Sequence, residues 1–129
     1  MKFPTNLKYS KEHEWVRVEG RRAVVGITYF AQSQLGDIVF VELPEVGAGA
    51  TAGKRFSVVE SVKAVSDIFA PVGGTVVEIN EVLTDSPEKV NSDPYGEGWI
   101  AVIEMPEGAT IEDLMDSDTY AAQVAKGGH

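Results

Sequence analysis

The chain contains no cysteine. A disulfide framework, a thiolate metal site and a cysteine nucleophile are therefore excluded, and cysteine usage leaves the compartment open. Imidazoles are scarce as well, limited to His13 and the terminal His129. A zinc site would have to rely on carboxylates and a His-dependent triad has one realistic base, so neither a metal nor a catalytic triad is expected. Positive charge is the third deficit. Eleven Lys and Arg face twenty Asp and Glu, and the net charge of -9 repels phosphate backbones and anionic membranes while steering towards basic surfaces. Nucleic acid and membranes are thus unexpected partners. No apolar run approaches the length of a membrane span, and the N-terminal MKFPTNLKYSKEHEW has no signal-type apolar core. A cytoplasmic, bacterial-type location is expected, or a mitochondrial one if the chain is a mature organellar form.

What the chain does have is enough apolar material for a core. With 129 residues, 43% hydrophobic and 24% charged, it fits a single domain spanning residues 1–129. Short β-rich runs follow one another between turn signals: EWVRVEG, RRAVVGIT, DIVFVELP, RFSVVES, AVSDIFAP, GGTVVEIN and GWIAVIEM. Their spacing predicts an all-β sandwich or barrel. The segment YFAQSQL, between the N-cap candidate Thr28 and the stop signal Gly36, predicts one short internal helix. After Pro106, Thr110 to Asp113 resembles a capping start, and Ile111, Leu114 and Met115 form a stripe at helical spacing. A C-terminal helical segment over about residues 110–129 is expected to cover part of the β-core. LTDSPEKVNSDPYGEG reads as the longest irregular stretch.

Few residues suggest chemistry. GATAGK, residues 49 to 54, has only three residues between its outer glycines, and Arg55 follows where a phosphate loop needs Ser or Thr, so it reads as a turn. His13 and Glu14 are adjacent, and on a strand they would point to opposite faces. His13 reads as a polar residue at a strand start beside a packed Trp15, while the role of Glu14 stays open. Trp15 and Trp99 each begin an apolar strand and read as core or core-edge aromatics. Lys63 sits in a polar window (Glu60, Ser61, Ser66, Asp67) between apolar arms. Val58, Val62 and Val65 fit a helix as well as strands, although β-branched enrichment and the turn Pro71 to Gly74 favour strands joined by a type I turn.

Four blocks decide between these readings. LKYSKEHEWV, GITYFAQSQLGDIVFVELPEVG, ESVKAVSD and SDPYGEGWI, in this order, resemble the H-protein family of the glycine cleavage system. The resemblance covers nearly the whole chain, with departures from familiar members at Tyr29, Phe30 and Gln34 and in the tail. It implies a mainly β fold, a flattened barrel-like β-sandwich of the biotinyl and lipoyl carrier type, with a hairpin-tip lysine bearing (R)-lipoate in amide linkage. Lys63 matches that lysine. Glu60 would serve recognition by the lipoylating enzymes, and Glu14 and Asp67 match the acidic contacts to an aminomethyl-loaded arm.

The same resemblance implies a carrier without catalytic residues of its own. It would take the aminomethyl group from a pyridoxal-phosphate glycine decarboxylase to a tetrahydrofolate-dependent aminomethyltransferase, and then deliver the dithiol to a flavin-dependent dihydrolipoyl dehydrogenase. A lipoyl or biotinyl carrier domain of another multienzyme complex is the alternative. Biotinyl carriers usually flank their lysine with methionine, whereas Lys63 has Val62 and Ala64 as neighbours, and the Ala/Pro-rich linkers of dehydrogenase lipoyl domains are missing. A plain β-barrel interaction module using its acidic surface is the reading from a different class.

Overall fold

The computed structural model describes residues 3–109 and 111–127. Thr110 and His129 lie outside the described residues. Among the described residues nine strands run in the order β1 (Lys8–Tyr9), β2 (Glu14–Glu19), β3 (Arg22–Ile27), β4 (Ile38–Glu42), β5 (Gly49–Ala50), β6 (Arg55–Ser61), β7 (Val65–Phe69), β8 (Gly74–Ile79) and β9 (Ala101–Glu104). They form a six-stranded sheet ordered β1-β2-β3-β9-β8-β5 and a three-stranded sheet ordered β4-β6-β7. All pairings are antiparallel. The expected mainly β sandwich is therefore the observed architecture.

The central strands read as continuous apolar runs because both of their faces are covered. On β3, Ile27 packs with Ile38, Val41, Val59 and Ile68 of the smaller sheet, while Ala23 and Val25 belong to an adjoining cluster with Ala50, Ala70 and Ile103. Val24 points the other way, into a cluster with Trp15, Val102 and Tyr120. Tyr120 belongs to the C-terminal helix α4 (Ser117–Ala125), so that helix does cover the outer face of the larger sheet. It begins later than the sequence pattern predicts. Asp116 is its N-cap, accepting from the Thr119 amide at 2.8 Å, while Met115 spends its backbone on a bridge to Tyr9. Ile111, Leu114 and Met115 are partly buried against the core as their spacing implies, but a hydrogen-bonded turn and a bridge hold them instead of a helix.

The internal helix α1 (Tyr29–Leu35) forms where expected. Thr28 Oγ1 accepts from the Ala31 amide, and Gly36 closes the helix with φ 80°, a left-handed conformation that favours glycine. The stretch from Leu83 to Gly98 departs from the irregular reading. Two single-turn helices, α2 (Val82–Asp85) and α3 (Lys89–Ser92), occupy it, and Leu83 and Val90 are buried in the main core. Gly26 sits opposite Trp15 in the β2–β3 register. A Cβ there would lie 2.6 Å from the indole, so only glycine lets the ring lie flat across the sheet. Among the described residues no helix is long and apolar enough to cross a membrane.

Candidate functional site

Lys63 stands at the tip of the β6–β7 hairpin, with Val62, Lys63 and Ala64 all exposed. The tip is closed by a hydrogen bond from the Ser61 amide to the Ala64 carbonyl at 2.8 Å. Ser61 Oγ accepts from the Lys63 and Ala64 amides at 3.3 and 3.0 Å, which is how serine stabilises a turn that holds no Gly, Asn or Pro. Among the described residues His13 is the one non-glycine with positive φ, so the tip avoids the primed turns of ordinary two-residue hairpins. An exposed amine on a hydrogen-bonded turn is the result.

The hairpin leans on the end of α1. The Val62 amide donates to the Asp37 carbonyl at 3.1 Å, and Lys63 Cε lies 3.6 Å from where a Cβ on Gly36 would be. Gly36 thus gives the lysine stem room to lie along the helix terminus. Asn91 on α3 anchors this platform: its side-chain amide donates to Gln32 Oε1 at 2.9 Å and to the Gly36 carbonyl at 2.8 Å, and its oxygen accepts from the Ile38 amide at 2.8 Å. Sequence reasoning missed Asn91 entirely, because its partners lie more than fifty residues away in the chain.

Beside this platform a cavity of about 220 Å³ opens between α1 and β7. Ile27, Phe30, Leu35 and Ile68 give it an apolar floor, and Glu12, His13, Gln34 and Asp67 supply polar groups. Phe30 and Gln34, two of the positions that depart from familiar family members, are therefore cleft residues. Asp67 is exposed and forms a weak pair with Arg55 at 3.8 Å. Among the described residues no ion pair involves Lys63.

Glu14 behaves differently from the surface acid that composition suggests. It is 2% exposed, accepts from Ser10 Oγ at 2.5 Å and from the Phe69 amide at 3.3 Å, and lines a neighbouring cavity of about 380 Å³ with Phe69 and Leu114. Burial pushes its carboxyl up to about 7, against the pull of the Ser10 and Phe69 hydrogen bonds. Glu14 and Asp67 are thus close along the β7 backbone but open into different cavities; Glu12 lines both. His13 precedes β2 instead of lying in it, with φ 74° and its ring Nδ1 2.7 Å from Tyr120 Oη. Trp15 is fully buried, and its indole N–H donates to the Pro94 carbonyl at 2.9 Å. GATAGK forms β5 and a turn, with the Lys54 amide bonded to the Thr51 carbonyl.

Glu60 is half-buried and sits between exposed apolar neighbours. In the sheet register it lies opposite Phe40 on one side and Val65 on the other, and these are 49% and 68% exposed. The row Phe40–Glu60–Val65, with Val62 at the tip, makes a mixed apolar and acidic face next to Lys63. Such a face suits contact with another protein more than solvent.

Residues 7–127 match the family model described as Glycine cleavage H-protein. A glycine cleavage system H protein of Brevibacillus brevis is 59% identical over 124 residues, covering 96% of this chain and 98% of the relative. That of Bacillus subtilis is 58% identical over 120 residues, covering 93% and 94%. The crystal structure of a glycine cleavage system H protein from Mycobacterium marinum superposes with a TM-score of 0.86 at 39% identity, covering 95% of this chain and 99% of that one. With the fold, the length and nearly every residue accounted for, the chain belongs to the glycine cleavage H-protein family.

Proposed function

We propose that this chain is the lipoyl carrier of a glycine cleavage system, with lipoate joined to Lys63 Nζ as an amide. The observation that carries the reading is the exposed hairpin lysine leaning over Gly36 beside a cleft with an apolar floor and an acidic rim. These residues fit the group. The lysine amine is accessible for acylation, amide formation removes its charge, and an uncharged arm can then lie on Ile27, Phe30, Leu35 and Ile68 without stranding a cation. Once attached, the lipoyl group supplies the disulfide chemistry by which an aminomethyl group is accepted and passed on.

The remaining work falls to the chain's own side chains. Asp67 at the cleft rim favours a protonated amine in its neighbourhood, and protonation removes the nitrogen lone pair that could expel a thiolate. Glu14 is the second acid of the proposal, acting from the adjoining cavity; a cation brought near it favours its charged form and draws off the proton that burial retains. Apolar walls limit water. The Phe40–Glu60–Val65 row is proposed as the face read by lipoylating enzymes, since a carboxylate framed by apolar side chains offers both contact area and a charge for orientation.

Its partners in this reading are a pyridoxal-phosphate glycine decarboxylase, a tetrahydrofolate-dependent aminomethyltransferase and a flavin-dependent dihydrolipoyl dehydrogenase. The bacterial relatives support a cytoplasmic setting. The test is the intact mass of the chain expressed with lipoate and a lipoate-attaching enzyme. One added lipoyl group on the parent and none on Lys63→Arg is expected, because a guanidinium is not a usable acylation nucleophile. A lipoylated Lys63→Arg variant would move the acceptor to another lysine, and an unmodified parent would remove the carrier reading.

A further inference from the structure

The C-terminal helix carries a group that reaches the cleft through two others. Tyr120 is fully buried, yet its hydroxyl lies 2.7 Å from His13 Nδ1 and 2.8 Å from Thr28 Oγ1. Thr28 Oγ1 in turn accepts from the Ala31 amide as the N-cap of α1, and the Thr28 amide donates to the His13 carbonyl at 3.0 Å. His13 and α1 form adjoining walls of the cleft.

Thr28 Oγ1 is buried, accepts from the Ala31 amide and shares a hydrogen with Tyr120 Oη. Burial pushes the Tyr120 hydroxyl upward, so it stays a neutral O–H between Thr28 and His13. His13 also holds the left-handed backbone that non-glycine residues avoid, which means its surroundings, not its own preference, keep it in place. The rest of Tyr120 is anchored independently, stacked on Tyr9 at 4.8 Å and edge-on to Phe3 at 4.8 Å. The hydroxyl can therefore be removed while the ring stays.

We propose that Tyr120 is a positioning residue for the arm cleft, its hydroxyl locking the His13 loop to the N-cap of α1 so that the C-terminal helix sets the cleft's shape around a loaded arm. This rests on the reading of the cleft as the arm's resting place. Glu12, Asp67 and Gln34, which share that cleft, are untouched by the substitution proposed below.

Two measurements on Tyr120→Phe test it. With only His13 and His129 to assign, ring ¹⁵N spectra of the unmodified chain report the His13 tautomer directly. The parent is expected to show a hydrogen-bonded Nδ1 and Tyr120→Phe to lose that signature, while Thr28→Val exchanges the Ala31 amide faster and Thr28→Ser matches the parent. The lipoylated chain, loaded by the decarboxylase and glycine, is then followed for ammonia release without tetrahydrofolate. Release from Tyr120→Phe is expected to be about three- to tenfold faster, the range one net hydrogen bond supports. An unchanged His13 spectrum overturns the proposal. So does unchanged release in Tyr120→Phe; if Asp67→Asn releases faster in the same assay the positioning role alone is lost, and if Asp67→Asn is also unchanged the cleft reading falls with it.

Discussion

Replacing Glu14 by glutamine should change how stability depends on pH more than it changes stability itself. Glu14 is 2% exposed and its carboxyl is raised from 4.5 to about 7, chiefly by burial, with Glu12 adding to the rise. Between these two values the folded chain keeps a proton that the unfolded chain has released. Proton binding is then greater in the folded state, so stability falls as pH rises through this window; the increment due to the Glu14 proton is fully present below about 4.5 and lost as pH rises through about 7. The whole displacement corresponds to about 3 kcal/mol, most of which falls between pH 5 and 8. Glutamine keeps the shape and titrates nowhere. Asp116, held below its ordinary value by the Thr119 amide, loses its contribution at the acid end, outside the window. Urea unfolding of both proteins at a series of pH values, followed by the fluorescence of buried Trp15, gives the difference curve. The parent should lose about 2–3 kcal/mol relative to Glu14→Gln from pH 5 to 8. Parallel curves would refute the claim that the buried carboxyl holds its proton near neutrality.

Other substitutions probe the scaffold and the recognition face. Asn91→Ala strands the buried Ile38 amide and frees the Gly36 carbonyl, and should cost about 2–3 kcal/mol in urea unfolding; a loss under about 0.5 kcal/mol would mean the platform is held by other contacts. Gly26→Ala puts a methyl group 2.6 Å from an indole that Pro94 holds fixed, and a loss of about 1–3 kcal/mol with a shifted Trp15 emission is expected. Glu60→Gln should leave stability within about 0.5 kcal/mol while slowing lipoylation about tenfold; an equal rate of lipoate attachment removes its recognition role.

Elements whose signals are local were legible in the sequence. Thr28 and Gly36 bound α1 because capping depends on residues within one turn of the helix end. The apolar runs of β3 and β9 announced strands. The tip at Lys63 was ambiguous, since Val58, Val62 and Val65 satisfy two periods at once, and only likeness to a family separated hairpin from helix. β1 and β5 have two residues each, too few for any alternation to register. Ile111, Leu114 and Met115 signalled burial correctly but not helix, because Met115 pairs with Tyr9 across the chain. The same distance hid the site's supports. Tyr120 meets His13 across 107 positions and Asn91 meets Gln32 across 59, and no spacing in the sequence carries such contacts. Glu14, between His13 and Trp15, looked like one acid among twenty; its burial emerges only when β2 and β7 close around it.

The central claim is that Lys63 presents a lipoyl arm on which this chain carries an aminomethyl group. The most direct measurement incubates the lipoylated chain with the glycine decarboxylase and ¹³C-labelled glycine, then reads the intact mass and maps the labelled peptide. The account predicts one labelled aminomethyl group per chain, on the peptide containing Lys63, and none on Lys63→Arg. A lipoylated parent that acquires no label from an active decarboxylase, or a label found on any other peptide, would contradict it.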